Sequence, residues 1–343
     1  MKKKIVKLGF FEKNMYIWVI LSLITAMFIR NVFPEAVFSI RTLEYAGISL
    51  PCAVLLWMAI FSNMLKIDFS KVKETEVFQM NFFVNWLIRP FVVYIFSVII
   101  IKLLLGKFID NENSIEYISG IIVTGILSCG NMIYKWVKVS KLKEERAHSA
   151  VAQNILMTLI LFIPITAVLF GISNIQIRYN MIILAILTFV FIPLIASLLV
   201  KRGVIIKKGN VYFQTVFIKK YEGVKNFSII MTLILIFIYL DRDILEILKS
   251  MGFILLPMIL CTTILYFITR IFVFILKKDQ EIQTISLLGA VENNFEIITA
   301  VLIVCFGIES LALLVPILWL IIEVPLINLY IKISKKSIIV NKM

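Results

Sequence analysis

Of the 343 residues, 61% are hydrophobic and the mean hydropathy is +1.00, well above the roughly 45–50% apolar content of soluble domains. This composition excludes a water-soluble fold and implies an all-α integral membrane protein whose first partner is the lipid bilayer. A net charge of +14 would point to nucleic acid in a soluble chain; in a membrane chain it reflects basic loops, and no nucleic-acid role is expected.

Ten apolar stretches follow in chain order, at about 14–33, 48–64, 80–105, 116–138, 147–171, 178–200, 224–240, 250–276, 283–306 and 308–332. Each has, or nearly has, the roughly 20 residues that a helix needs to cross a bilayer. The Met-Lys-Lys-Lys start precedes a long apolar run with no small-x-small site, so the first stretch reads as an uncleaved span. The longest polar connection, Lys201 to Lys225, reads as a loop too short for a soluble domain. With the N-terminus inside, the cytoplasmic segments hold 27 Lys and Arg residues and the outer segments 7. This bias, and the even number of spans, predict both termini in the cytoplasm of a plasma-membrane protein. Cys52, Cys129, Cys261 and Cys305 lie in apolar runs without CxxC spacing, so neither a structural metal nor a disulfide framework is indicated.

Five stretches lie on each side of Gly171–Arg178. An odd number per half inserts the second half upside down, giving two inverted five-helix repeats, 1–171 and 172–343. The fourth stretch of each half is interrupted by polar residues. One reads Thr124-Gly125-Ile126-Leu127-Ser128-Cys129-Gly130-Asn131-Met132, the other Leu288-Gly289-Ala290-Val291-Glu292-Asn293-Asn294-Phe295-Glu296. Gly and Asn in mid-span lower helix propensity and free backbone groups. Matching interruptions in two halves mark the binding site of a secondary transporter, here with discontinuous helices 4 and 9 crossing at the midplane.

Intramembrane carboxylates default to function. Glu296 is the leading candidate for carrying a proton, with Glu292 one turn earlier sharing that role or facing solvent. Cys129, between Ser128 and Gly130-Asn131 at the break, offers a soft thiolate ligand. Cys52, Cys261 and Cys305 lack polar neighbours and read as packing. Asn131, Asn293 and Asn294 complete a polar substrate site. Glu323 precedes Pro325, which should kink the last span. Asn85 and Arg89 lie in the third span, where Arg89 either pairs with a glutamate across the bundle or snorkels to an interface. Asn154 in the fifth span suits a hydrogen bond between helices. The one histidine, His148, sits by a basic loop, and no HExxH, P-loop or Asp-rich diphosphate motif occurs. An enzyme is therefore not expected, nor a cofactor.

The block Glu292-Asn293-Asn294-Phe295-Glu296, then Cys305-Phe306-Gly307-Ile308 and Ile322-Glu323-Val324-Pro325, resembles the arsenite efflux permeases of the arsenical resistance-3 family. That family belongs with the bile acid/sodium symporters in a ten-span superfamily. Cys129 with Met132 and Trp136 resembles its span-four block, Asn85-Trp86 with Pro90 its span-three block, and Asn154 its span-five asparagine. The resemblance implies extrusion of arsenite, and of antimonite, in exchange for protons, with Cys129 binding trivalent arsenic and Glu296 serving the proton exchange. The sister family implies the alternative, a sodium-coupled organic anion carrier. Four positions depart from the permease pattern: Ser128 replaces an arginine, Arg89 replaces a glycine, and Gly130-Asn131 replaces an apolar-Ala pair. The positive charge is thus expected to have moved from the fourth span to the third.

Overall fold

A computed structural model describes residues 8–45, 48–128, 130, 132–140, 142 and 145–340. Cys129 and Asn131 lie outside the described residues, as do the Met-Lys-Lys-Lys start, Lys7, Lys141, Lys143 and Lys342. Helices account for the architecture. In chain order they are α1 (Phe10–Lys13), α2 (Met15–Val32), α3 (Pro34–Arg41), α4 (Leu50–Met64), α5 (Thr75–Leu104), α6 (Asn111–Ile126) and α7 (Ile133–Val139). There follow α8 (Glu145–Ile172), α9 (Tyr179–Tyr239), α10 (Ile244–Ile275), α11 (Gln280–Val291), α12 (Phe295–Phe306) and α13 (Leu314–Val340). A two-stranded antiparallel ribbon, Glu44–Tyr45 with Ile48–Ser49, precedes α4.

Among the described residues, six helical stretches are long and apolar enough to cross a membrane: α2, α5, α8, α9, α10 and Leu311–Ser334, which contains the first turns of α13. The shorter helices α4 and α12 are also apolar. The outward faces of α2, α8 and α10 carry large apolar side chains such as Ile24, Phe28, Ile160 and Ile271, all more than half exposed. Such a belt is unfavourable against water and suited to lipid.

The connection from Lys201 to Lys225 is a correction to the sequence reading, because it is helical rather than a loop. Lys and Arg favour helix, so their charge excludes this stretch from lipid without breaking its backbone. At 61 residues α9 would measure about 90 Å if straight, three times the roughly 30 Å hydrocarbon core. It is instead bent at Gly209, whose φ of 81° and ψ of 161° suit glycine alone. Both arms of α9 pack on α4, and the second also packs on α2.

Two interruptions organise the interior. Helix α6 ends at Ile126, where Leu127 leaves helical geometry, and α7 begins at Ile133. Helix α11 ends at Val291, Glu292 is extended, and α12 begins at Phe295. The two unwound segments pair with each other. Ser128 and Asn293 form an antiparallel bridge, and the Asn294 amide donates to the Leu127 carbonyl at 3.4 Å. Backbone groups freed inside an apolar bundle require such partners, and each break supplies them for the other.

Candidate functional site

Glu292 occupies the junction of the two breaks and is fully buried, so it does not face solvent. Its carboxylate accepts hydrogen bonds from the backbone amides of Gly130 and, at 3.3 Å, Met132. Those amides precede α7 and are free because the chain has not yet begun a helix there. Gly130 permits the approach. A Cβ at this position would lie 2.8 Å from Glu292 Oε1 and 3.0 Å from the Asn293 carbonyl oxygen.

Arg89 holds the opposite side of the junction. It is 3% exposed and is thus buried in the bundle rather than drawn out to an interface. A π-helical turn, Phe82–Ile88, brings α5 to this point. Arg89 Nη1 donates to the Glu292 carbonyl at 3.2 Å, and Nη2 donates to the Thr124 carbonyl at 3.0 Å and to Asn293 Oδ1.

Asn294 caps α12, its side-chain oxygen accepting from the Ile297 amide at 3.4 Å. Glu296 lies in the first turn of α12, where helix amides favour negative charge. Its carboxylate accepts from Asn63 Nδ2 at 2.8 Å. Glu323, on α13, accepts from Trp136 Nε1 at 3.4 Å. Asn154 bridges three elements. Its amide donates to the Ser128 carbonyl at 2.6 Å, and its oxygen accepts from Trp86 Nε1 at 2.8 Å. This bond ties α8 to the first break, as expected of an inter-helix asparagine.

Glu292, Asn293, Glu296 and Glu323 line one cavity of about 660 Å³, counting its open mouth. Asn85 is not brought to it. Its amide donates to Asn81 Oδ1, and it lines a separate cavity beside Ala150 and Ile285. Five further polar residues of the main cavity escape sequence reading: Glu12, Asn63, Lys66, Lys135 and Lys225. Each is a lone polar group near the end of an apolar run, which looks the same as an interfacial residue until the helices pack. At the mouth, Lys135 pairs with Glu12 and with Glu222 at 2.9 Å, and Lys66 pairs with Glu222 at 3.4 Å. Burial pushes the Glu12 carboxyl up, but the hydrogen bond and charge of Lys135 prevail and hold it below the ordinary carboxylate value.

A polytopic helical bundle with a polar cavity walled by two mutually paired helix breaks defines a membrane transporter. The chain belongs to the Sodium Bile acid symporter family, whose sequence model matches residues 53–250. It is accordingly a multi-pass membrane transporter and not an enzyme. Among curated relatives, it is 29% identical over 334 residues to the arsenical-resistance protein Acr3 of Alkaliphilus metalliredigens, covering 96% of this chain and 94% of that protein. It is 27% identical to an uncharacterized transporter of Synechocystis sp., over 96% of this chain and 90% of that one. The arsenical-resistance protein Acr3 of Corynebacterium glutamicum is 20% identical, over 95% and 89% of the two chains.

Proposed function

We propose that this transporter extrudes arsenite, and antimonite with it, across the plasma membrane in exchange for protons. The observation that carries the reading is the paired break. Ser128 is bridged to Asn293, Gly130 donates to Glu292, and the sequence sets Cys129 between those two residues. Similarity to two arsenical-resistance proteins over nearly the whole chain supports the substrate. Arsenic(III) is thiophilic, and a cysteine is the soft ligand it requires. In this reading Cys129 binds the metalloid, and Asn131, Asn293 and Asn294 form its polar surroundings. Glu296 and Glu292 exchange the protons, while Glu323, Arg89 and Asn154 support the site.

The proposed frame is ten spans in two inverted repeats, 1–171 and 172–343, with both termini cytoplasmic. The pair α6/α7 is then helix 4, the pair α11/α12 is helix 9, and their bridge lies at the midplane. The bend at Gly209 fits a cytoplasmic turn between helices 6 and 7.

The test is arsenite accumulation in arsenite-sensitive cells that express wild-type protein, Cys129→Ser or Glu296→Gln at matched levels. Reduced accumulation with wild type, lost in both variants, is the expected outcome. Unchanged accumulation with well-expressed wild type would refute arsenite extrusion and favour the sodium-coupled organic anion carrier.

A further inference from the structure

The Arg89 guanidinium sits in a cage of oxygen. Its bonds described above reach two peptide carbonyls, Thr124 and Glu292, and one amide oxygen, Asn293 Oδ1. Thr124 lies at the end of α6, just before the first break; Glu292 and Asn293 are the second break. Both broken helices therefore aim oxygens at one cation.

Carbonyl and amide oxygens of unwound helices are the ligands with which broken-helix transporters hold sodium, and hard cations take oxygen ligands of this kind. A guanidinium has the same charge, is covalently tethered and remains protonated. The space around it is not closed. Arg89 lines a second, open cavity with Thr124, Cys261 and Asn293, so a shorter side chain would leave room for an ion.

We propose that Arg89 is a resident cation filling a sodium cage, and that the protein consequently binds no sodium at the junction of its broken helices. If the transport reading above is right, transport by this chain runs without sodium. The cage itself stands apart from that reading, and its test uses no arsenite.

The experiment is thermal unfolding of the detergent-purified full chain in sodium chloride and in N-methylglucamine chloride at equal ionic strength. The wild-type midpoint should be the same in both salts. Arg89→Gln should unfold at lower temperature in N-methylglucamine and recover by several degrees in sodium, with ²²Na⁺ retained by the variant only. Equal sodium stabilisation of the wild type would overturn the proposal. So would a folded Arg89→Gln protein indifferent to sodium. If Arg89→Gln is lost in both salts, Arg89→Lys decides. Its ammonium keeps a tethered charge in the cage, so sodium should not move its midpoint, and a sodium-stabilised Arg89→Lys would overturn the proposal.

Discussion

A methyl group on Gly130 would press against both Glu292 and the Asn293 carbonyl. Gly130→Ala should therefore force the two breaks apart at a cost of about 1–3 kcal/mol, the range for overpacking. Transport should fall far more than expression, which initial transport rate against purified yield will show. Asn154 is a second residue whose two bonds can be removed at once. Asn154→Ala leaves the Ser128 carbonyl and the Trp86 indole N–H without it. The expected loss is about 1–2 kcal/mol, since hydrogen bonds within membrane bundles are modest. A lowered unfolding midpoint in detergent would record it, and an unchanged midpoint would show that the first break is held by other contacts.

At the level of elements, α12 starts in mid-bundle and depends on its cap. Asn294→Ala should cost about 1 kcal/mol and Asn294→Ser almost nothing, as for other N-caps; matched unfolding midpoints for both variants would contradict this. Helix α1 is tied to α7 through Glu12 and Lys135. The folded Glu12 carboxyl lies below its ordinary value, so it contributes stability above the unfolded value of about 4.3. That contribution is lost as pH falls through the lower folded value. The midpoint difference between wild type and Glu12→Gln should accordingly be constant near neutrality and vanish in acid. A difference that persists in acid would assign the tie to packing. The two breaks were legible because Gly, Asn and Glu stand in otherwise apolar runs. The helical course of Lys201–Lys225 was not, since hydropathy reports where lipid ends and says nothing of where a helix ends.

For the whole molecule, hydropathy located the long apolar helices, because lipid-facing and core-facing positions are both apolar, but it passed over α1 and α3 and split α9 in two. The cavity was only half legible. Glu292, Asn293, Glu296 and Glu323 announce themselves by the penalty of burying them, and the structure gathers them into one cavity. Asn63 and Lys225 joined them only through packing of α4 against α12 and of the second arm of α9 against α4, which no local pattern encodes. Asn85 carried the same polar signal and went elsewhere, which shows that a buried amide marks a hydrogen bond before it marks a site. The coupling of substrate to protons is best examined in everted membrane vesicles, with arsenite uptake driven by an imposed interior-acid gradient and sodium replaced by N-methylglucamine. Gradient-driven uptake that survives sodium removal and disappears in Cys129→Ser is expected; uptake that ignores the proton gradient and follows a sodium gradient would contradict it.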